Sequence, residues 1–385
     1  MKGAVGKQNA ASRRGVNRVA LVHDWLTVPG GSELVLDRIA SHFPSATVYT
    51  SIHNPETCRV ALDNQIKTSF LQNLPLARSG KHYWYSPLMP FVYRNFNLVD
   101  CDLVISDSHS FAHHARGGSC TVHYCYYHTP ARSLWVPHID NRASSGFGAP
   151  VKRSIAKVLK RLDFDASKNP DYIVANSYTT ANRILEFYGR KVDEVIYPPV
   201  DVLPWLDVPE SSRRKGLLYW GRLVDYKRVD LLVEAAQQVD EDIHIVGGGP
   251  CDVSLRAVAD QSPNVIFHGR LPIEALKELM SKCRAVVFPA YEDFGIVPVE
   301  AMAAGLPVIY FAVGGASESV TEEFGIPFEF QTVRSLVEAI ERSHKMTPNV
   351  RNLRTRAWSF RTERFDSEFL ESVARARRTR ISTQG

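Results

Sequence analysis

The sequence predicts an α/β protein built from two Rossmann-like, doubly wound domains. Short apolar runs of four or five residues alternate with amphipathic helical patterns, and this alternation occurs twice along the chain. Continuous apolar runs of this length are typical of strands buried on both faces of a parallel sheet. A segment rich in proline and charge, residues 203–215, separates the two series, and a length of 385 residues suits two domains of ordinary size.

The first series predicts five strands. The first of them, residues 19–23, leads through a Gly-Gly turn into a helix with apolar side chains at Leu34, Leu36 and Ile39. The remaining strands are predicted at residues 46–49, 103–106, 121–124 and 172–175. We expect this N-terminal domain to cover residues 18–200, after a disordered, polar and basic tail over residues 1–17.

The second series predicts five more strands, at residues 216–220, 243–246, 265–267, 285–288 and 307–310. Helices are predicted between and after them, at residues 230–239, 252–260, 273–282, 298–304 and 333–344. We expect this domain to cover residues 201–360. A final helical and basic segment, residues 361–385, is expected to return to the N-terminal domain.

The composition excludes several classes of protein. Hydrophobic residues make up 44% and charged residues 23% of the chain, as in a soluble globular protein. The six cysteines are scattered without a Cys-x-x-Cys pair, which indicates neither a zinc site nor a disulfide framework. We find no signal peptide and no apolar run long enough to span a bilayer, so we expect a cytoplasmic protein. The net charge of +5 suits anionic ligands or an anionic membrane surface. Nucleic acid is a less suitable partner, because the basic residues do not lie in any known nucleic-acid-binding module.

Two glutamates separated by seven residues stand out in the second series. Glu292 follows a predicted strand on a loop, and Glu300 lies about a turn into the next predicted helix. The amino end of that helix offers free backbone N–H groups and a positive dipole to an anion. Two carboxylates beside an anion site suit a ligand with both hydroxyls and phosphate, such as a nucleotide sugar. The alternative is a surface loop with two solvated acids.

This Glu-x7-Glu spacing resembles the motif of the retaining glycosyltransferases of family 4 (GT4). The resemblance covers roughly residues 18–370 and is closest to bacterial mannosyltransferases of O-antigen and exopolysaccharide pathways. It implies the GT-B architecture, in which two Rossmann-like domains face each other across a cleft, with the acceptor on the N-terminal and the donor on the C-terminal domain. The other segments that carry it are residues 21–25 (LVHDW), 30–33 (GGSE), 127–132 (YHTPAR) with Trp135, and 292–298 (EDFGIVP).

Two loops are candidates for diphosphate binding. Gly30 and Gly31 lie between a strand and a helix, where the bare backbone can approach a phosphate closely, although ordinary turns also use glycine pairs. Arg222 and Lys227 lie five residues apart on the loop after the first strand of the second series, so both could reach one diphosphate. The alternative for this pair is a solvated basic loop. The resemblance implies that both loops bind the donor diphosphate.

The resemblance also implies the remaining contacts to the donor. It implies that Glu300 binds the ribose hydroxyls and that Glu292 faces the sugar ring. The other implied donor-binding residues are Phe294, Gly295 and Ile296, through their backbone N–H groups, and Arg270 and Leu271, beside the base.

His128 and Glu292 are the two candidate catalytic residues. His128 follows a predicted strand, and polar residues at the carboxyl ends of strands in doubly wound folds contact ligands. The alternative is a core or surface histidine. No residue stands out as a nucleophile, so we expect catalysis by positioning and by stabilisation of charge on the leaving diphosphate.

No metal site is predicted. We expect His109, His113 and His114 on one helix, where their spacing is imperfect for metal ligands. Three Asp-x-Asp triplets, at residues 100–102, 163–165 and 240–242, are discounted, since two of them suit ordinary caps of strands or helices. Enzymes of the GT-B class generally need no such metal, so we expect neither a metal nor a cofactor beyond the nucleotide-sugar donor.

Basic charge lies near aromatic residues in the first series. Residues 83–96 are rich in aromatic and apolar side chains, and this combination suits an anionic bilayer interface. We therefore expect peripheral contact with the inner face of the cytoplasmic membrane; the alternative is a solvated helix face beside a buried helix. The basic residues, which lie in a segment without an acid, are Lys152, Arg153, Lys157, Lys160 and Arg161.

The sequence thus predicts a retaining glycosyltransferase that moves mannose from GDP-mannose to a lipid-linked oligosaccharide in surface polysaccharide synthesis. Two alternatives stay open. A sugar-nucleotide epimerase with the same fold would form product without any acceptor. A catalytically inactive protein would bind nucleotide sugar and transfer nothing.

Overall fold

The computed structural model describes residues 18–61, 63–79, 82–136, 149–210 and 215–384, and the predicted tail lies outside these residues. The chain divides into two compact units. The first contains the chain up to residue 126 with residues 161–172 and 376–385, and the second contains residues 127–160 and 173–375. The predicted domain boundaries at residues 200 and 360 stay predictions. The two parallel sheets confirm the predicted α/β class with two Rossmann-like folds.

The first sheet has seven strands. They are β1 (Val19–His23), β2 (Thr47–Thr50), β3 (Gln65–Thr68), β4 (Leu103–Ser108), β5 (Val122–Tyr127), β6 (Tyr172–Ala175) and β7 (Glu194–Val195). Their order is β3-β2-β1-β4-β5-β6-β7, and β1 pairs in parallel with both β2 and β4. Every side chain of β4 and β5 is buried, as expected of strands covered on both faces.

The second sheet has six parallel strands in the order β10-β9-β8-β11-β12-β13. They are β8 (Leu217–Trp220), β9 (Ile243–Val246), β10 (Val265–Gly269), β11 (Ala285–Phe288), β12 (Val308–Phe311) and β13 (Gly325–Phe328). The strand order changes direction between β8 and β11, because β9 and β10 lie on one side and the later strands on the other. In doubly wound sheets, ligands bind outside the carboxyl ends of the strands at this point.

Thirteen α-helices connect or follow these strands within the described ranges. They are α1 (Gly31–His42), α2 (Met89–Arg94), α3 (Arg132–Trp135), α4 (Ala149–Ala166), α5 (Tyr178–Tyr188), α6 (Val229–Ala235), α7 (Asp252–Ala259), α8 (Ile273–Lys282), α9 (Ile296–Ala303), α10 (Ala316–Ser319), α11 (Val333–Ser343), α12 (Val350–Trp358) and α13 (Thr362–Gln384). No helix among the described residues is both long enough and apolar enough to cross a membrane.

Three strands that the sequence analysis does not predict are β3, β7 and β13, and each lies at an edge of its sheet. β3 carries mostly exposed side chains, and β7 is only two residues long. β13 contains Pro327, which only an edge strand accommodates easily. These three edge strands are buried on fewer sides than the central ones and lack the fully apolar run by which the central strands are recognised. The fourth edge strand, β10, keeps an apolar run over residues 265–267 and is predicted.

The prediction of one helix carrying His109, His113 and His114 is wrong. Only Ala112–His114 forms a short turn of 3₁₀ helix. The Asp24 carboxylate accepts the four backbone N–H groups of residues 109–112 at 2.5–2.9 Å. A side chain that satisfies these donors replaces the hydrogen bonds of a regular helix, so the segment forms a turn instead.

Candidate functional site

The predicted donor site lies at the carboxyl ends of β8 and β11. The two strands are neighbours and run in parallel, so the loops that follow them emerge at the same edge of the sheet. The loop after β8, residues 221–228, carries Arg222 and Lys227, and the loop after β11, residues 289–295, carries Glu292.

Lys227 and Glu292 form an ion pair between these two loops. Lys227 Nζ lies 2.8 Å from Glu292 Oε1, and the two side chains are 11% and 15% exposed. Burial alone would lower the pKa of Lys227, but the Glu292 carboxylate and the nearby Tyr219 and Tyr226 hold it above its usual value. The ammonium group therefore stays charged in a fixed position, where it could meet a phosphate oxygen.

Glu300 lies in the second turn of α9 and meets Trp220 at the end of β8. Trp220 Nε1 donates a hydrogen bond to Glu300 Oε2 at 3.3 Å. Burial raises the pKa of Glu300 to about 7, although this hydrogen bond and the nearby Lys227 lower it. A further hydroxyl donor would stabilise the ionised carboxylate of Glu300, which burial disfavours. The contact of Glu300 with ribose hydroxyls stays a prediction.

The amino end of α9 presents backbone rather than side chains. Gly295 directly precedes the helix with φ +85°, and a Cβ atom there would lie 3.0 Å from the ring of Phe288. The side chain of Phe294 is buried against Phe360, and Ile296 packs against the same core. The backbone N–H groups of these residues are the groups that could meet an anion, and no acid lies in the first turn to offset the helix dipole.

Arg222 lies exposed on the loop after β8, where its guanidinium donates to the hydroxyl of Tyr226 at 3.4 Å. A glycine turn after β9 sets the path of this loop. A Cβ atom on Gly247, which has φ +136°, would lie 1.9 Å from the carbonyl oxygen of Gly221. The glycine run after β9 therefore serves as a packing surface for the loop that carries Arg222 and Lys227.

A second glycine pair supports the loop that carries Glu292. Gly315 N donates to the carbonyl oxygen of Glu292 at 2.8 Å. A Cβ atom on Gly315 would lie 2.1 Å from the carbonyl oxygen of Asp293, and one on Gly314 would lie 2.7 Å from that of Glu292. The glycines after β12 are needed because this loop packs directly on their backbone.

Two arginines outside the predicted donor site hold Asp293, the residue after Glu292. Arg132 Nε donates to Asp293 Oδ2 at 2.9 Å, and Arg183 Nη1 donates to Asp293 Oδ1. Both Asp293 and Arg183 are buried. The guanidinium of Arg183 also lies 4.7 Å from the centre of the Tyr291 ring. The side chains of Tyr291 and Asp293, on either side of Glu292, are therefore held in place, and they hold the backbone of Glu292 in place as well.

The sequence contains a signal for each of these arginines. Arg132 ends the segment YHTPAR, which already carries the family resemblance. Arg183 lies on the buried face of α5 beside Thr180 and Ile184. Arginine is seldom buried without a partner, so a charged residue on the apolar face of a predicted helix indicates an ion pair.

Arg270 and Leu271 follow β10, which is separated from β8 by β9. Arg270 is exposed, and its Nε lies 3.9 Å from the position that a Cβ on Gly248 would take. Leu271 is half-buried and packs against the core of the second unit. Their contact with the base stays a prediction.

His128 follows β5 and belongs to the second unit. It is half-buried, and its carbonyl oxygen accepts a hydrogen bond from Thr180 Oγ1 at 2.9 Å. Its contact with the sugar stays a prediction.

Gly30 and Gly31 lie in the first unit at the start of α1. A Cβ atom on Gly30 would lie 3.0 Å from Glu33 Oε2, so a buried carboxylate lies directly beside the turn. A diphosphate at the same place would be repelled by this like charge unless a cation or proton intervened. The predicted diphosphate contact of the two glycines stays a prediction.

The two parallel sheets, with Lys227, Glu292 and the amino end of α9 near the strand ends of the second, have the fold of the two-domain GT-B glycosyltransferases. Two family models match the chain: "Glycosyltransferase Family 4" over residues 29–202 and "Glycosyl transferases group 1" over residues 207–358. The chain belongs to the family 4 glycosyltransferases, as its Glu-x7-Glu motif predicts.

Curated relatives match over part of their length. The O-antigen chain mannosyltransferase C of Escherichia coli is 27% identical over 176 residues, which are 43% of this chain and 46% of that protein. A GDP-mannose-dependent monoacylated alpha-(1-6)-phosphatidylinositol monomannoside mannosyltransferase of Corynebacterium glutamicum is 37% identical over 133 residues, 31% of this chain and 35% of that protein. The chain thus matches less than half the length of either relative.

Solved structures share the fold across nearly the whole chain. A sucrose-phosphate synthase of Thermosynechococcus elongatus superposes with a TM-score of 0.69 at 18% identity, covering 94% of this chain and 99% of that one. An apo lipopolysaccharide outer core galactosyltransferase gives 0.66 at 18% identity, covering 92% and 99%. An Anabaena protein in complex with UDP and glucose gives 0.65 at 19% identity, again covering 92% and 99%. At these identities the likeness shows the fold alone.

Proposed function

We propose that this chain transfers mannose, with retention of configuration, from GDP-mannose to a lipid-linked saccharide acceptor in the synthesis of a surface polysaccharide. The observation that carries the proposal is the Lys227–Glu292 pair beside the start of α9, at the carboxyl ends of two neighbouring strands. Membership of the family supports sugar transfer. The names of the two relatives, which include mannosyltransferase, O-antigen and GDP-mannose, support the choice of sugar, nucleotide and pathway.

The donor diphosphate would be held by Lys227, Arg222 and the backbone N–H groups at the start of α9. Each charge-assisted hydrogen bond to a phosphate oxygen contributes roughly 1.5–3 kcal/mol. Negative charge grows on the diphosphate as its bond to the sugar breaks, so the same groups stabilise the transition state more than the bound donor. Two cations and a helix dipole supply the charge that a metal ion would otherwise provide, and we propose that donor binding needs no metal.

The two glutamates would serve different parts of the donor. Glu300, held by Trp220, would accept hydrogen bonds from the ribose hydroxyls. Glu292 would face the sugar while it keeps the Lys227 ammonium in place at 2.8 Å. Because Asp293 is fixed by Arg132 and Arg183, the peptide that carries Glu292 would not have to be ordered when the donor binds.

The test is transfer from a panel of labelled nucleotide sugars, with and without a lipid-linked saccharide acceptor. We expect label from GDP-mannose in the acceptor and no altered nucleotide sugar when the acceptor is left out. Glu292→Gln should lower kcat far more than it changes GDP affinity, measured by calorimetry, because the glutamine amide oxygen can still accept a hydrogen bond from Lys227. A changed sugar nucleotide formed without acceptor would identify an epimerase, and GDP binding without transfer from any donor would identify an inactive binding protein.

We also propose reversible contact of α4 with an anionic membrane. Val151, Ile155 and Val158 are spaced to form one stripe along this helix, and their side chains are 41–64% exposed. Arg153 and Lys157 are exposed on another side of the helix. An apolar stripe with basic residues on the polar face is typical of helices that lie in a membrane interface.

Other parts of the predicted membrane surface contribute unequally. The side chain of Lys152 lies outside the described residues. Lys160 is half-buried, with its Nζ 5.1 Å from the centre of the Trp135 ring, so its ammonium group is less accessible to a membrane surface than that of an exposed lysine. In residues 83–96, Trp84 and Phe91 are 63% and 53% exposed and Leu88 is 41% exposed, while Met89 and Val92 are buried.

A further inference from the structure

We infer that His23, Glu33 and His109 form a binding site for a divalent transition-metal ion such as Zn²⁺ in the first unit. Ring nitrogens of the two histidines and a carboxylate oxygen of the glutamate all lie within 4.8 Å of one another. Two imidazoles and one carboxylate form a ligand set that Zn²⁺ uses in proteins, with water in the fourth position. The three residues come from the end of β1, the first turn of α1 and the turn after β4.

The two ring nitrogens of His23 have different surroundings. Nδ1 lies 2.8 Å from Asp107 Oδ2, and a carboxylate on the far nitrogen is the usual support of a metal-bound histidine. Among the described residues, Nε2 has no hydrogen-bond partner, although the whole side chain is buried. Its nearest carboxylate oxygen, Glu33 Oε1, is 3.8 Å away. That distance is too long for a hydrogen bond but suits two ligands that each lie about 2.0–2.2 Å from a shared ion.

The other two ligands are held in position before any ion binds. The Asp24 carboxylate accepts four consecutive backbone N–H groups, the first of them from His109. The His109 ring packs edge-on against Trp25, with the ring centres 4.6 Å apart. Glu33 is 5% exposed and accepts a hydrogen bond from Ser32 Oγ at 2.9 Å. Ligands fixed by neighbouring groups in this way are what a metal site requires.

A second cluster of His113, His114 and Asp163 does not share these features. The Nε2 atoms of both histidines lie 3.2 Å from the same Asp163 oxygen, so contacts within the protein already use the atoms that a metal would need. The cluster is fully buried, whereas the His109 side chain is 17% exposed and offers an ion a route from solvent.

The competing occupant of the site is a proton on His23. Burial lowers the pKa of His23, but the hydrogen bond with Asp107 and the negative charges of Asp107 and Glu33 raise it to about 10. Without a metal, the ring would therefore be an imidazolium between two carboxylates. Metal binding has to release this proton, so the experiment must decide between the two occupants.

The full-length protein, dialysed against EDTA and then against metal-free buffer, should be titrated with Co²⁺ as a spectroscopic probe for a zinc site. We expect about one equivalent of Co²⁺ to give the visible absorption of a four-coordinate ion, to be displaced by Zn²⁺, and Zn²⁺ to raise Tm. His109→Ala and Glu33→Gln should each abolish the absorption and the rise in Tm. His53→Ala, which changes another histidine of the first unit, should abolish neither. Circular dichroism establishes that each variant is folded, and His109→Ala alone suffices if Glu33→Gln does not fold.

Absence of bound metal and an unchanged Tm in the wild type would overturn the inference and leave the proton as occupant. An equal Co²⁺ spectrum in folded His109→Ala and Glu33→Gln would place the ion elsewhere. Charge-transfer absorption of a cobalt–thiolate bond would assign it to cysteine and would also overturn the inference. The GDP affinity is expected to be the same with and without EDTA, because the proposed donor site in the second unit uses Lys227 and Arg222.

Discussion

Lys227 is the side chain on which diphosphate binding should depend most. Its ammonium group is charged and already held by Glu292 at 2.8 Å, so little side-chain entropy is lost when a phosphate binds. We predict that Lys227→Ala weakens GDP binding about tenfold or more, since about 1.4 kcal/mol corresponds to a factor of ten. Arg222→Ala should have an effect of similar size. Calorimetric titration with GDP measures both.

Lys282→Ala provides the control for these variants. Lys282 is exposed and pairs with Glu278 on the surface of α8, so the substitution removes the same charge from the chain. It should leave GDP affinity unchanged. Wild-type affinity in both Lys227→Ala and Arg222→Ala would contradict the assignment of the diphosphate loop.

The raised pKa of Glu300 makes stability depend on pH. Its folded-state pKa of about 7 exceeds the ordinary value of 4.5, so the folded protein binds this proton more tightly than the unfolded chain does. The stability from Glu300 is therefore fully present below about pH 4.5 and is lost as pH rises through about 7. We predict that Glu300→Gln, which can still accept from Trp220, is more stable than the wild type at pH 8 by on the order of 3 kcal/mol and is nearly equal to it at pH 4.5.

Denaturant unfolding of both proteins across this pH range measures the effect. Glu278→Gln is the control, because Glu278 is exposed and its pKa is lowered by Lys282. It should show no gain in stability between pH 5 and 8. A constant difference between Glu300→Gln and the wild type at all pH values would mean that Glu300 does not titrate there.

At the scale of elements, the turn after β9 should control the shape of the diphosphate loop. Gly247 has φ +136°, and a Cβ atom on it would lie 1.9 Å from the carbonyl oxygen of Gly221. Neighbouring Gly248 has no such constraint, since only Arg270 Nε lies near its Cβ position, at 3.9 Å. We predict that Gly247→Ala destabilises the protein by about 1–3 kcal/mol and weakens GDP binding, because loop residues 221–228 must shift.

Gly248→Ala is the matched control and should change neither quantity much. Thermal unfolding and GDP calorimetry on the two variants test the prediction. Equal behaviour of Gly247→Ala and Gly248→Ala would show that the turn does not position the loop.

The central strands of the two described sheets could be predicted from the sequence, and so could the edge strand β10, but the edge strands β3, β7 and β13 could not. β8, β9 and β11 are short apolar runs because neighbours and helices cover them, and burial of this kind is visible in composition. β3 and β7 have few buried side chains, so nothing in their composition separates them from loops. Where a strand pairs at an edge is decided by partners that are distant in sequence.

The same reasoning applies to the site. Glu292, Gly295 and Glu300 lie in one continuous segment, so their arrangement around a strand end and a helix start follows from local pattern. Arg132 and Arg183 lie 161 and 110 positions from Asp293. Periodicity shows that Arg183 is on a buried face but not which acid it meets, and this partner is visible only in the folded chain.

For the protein as a whole, membrane binding should depend on the basic residues of α4, which contribute to the net charge of +5. Each basic residue near an anionic surface contributes about 1 kcal/mol, and salt weakens the attraction. We predict binding to vesicles rich in anionic lipid, little binding to neutral vesicles, and release at high salt. Replacing Lys152, Arg153, Lys157, Lys160 and Arg161 by serine should reduce co-sedimentation with vesicles and leave GDP affinity unchanged.

Replacing Arg256, Lys282 and Arg334 by serine is the control for charge, because these exposed residues lie on three other helices. This variant should sediment with vesicles much as the wild type does. Equal sedimentation of the wild type and the fivefold α4 variant would show that α4 is only a solvated surface.

The most direct test of the proposed mannosyl transfer is the anomeric configuration of the product. The purified protein is incubated with GDP-mannose, in which the mannose is α-linked, and a lipid-linked saccharide acceptor, and the new linkage is determined by NMR. A retaining transferase acting at Lys227, Glu292 and Glu300 predicts an α-mannosyl product that forms only when the acceptor is present. A β-linked product would contradict retention, and an altered nucleotide sugar formed without acceptor would contradict transfer itself.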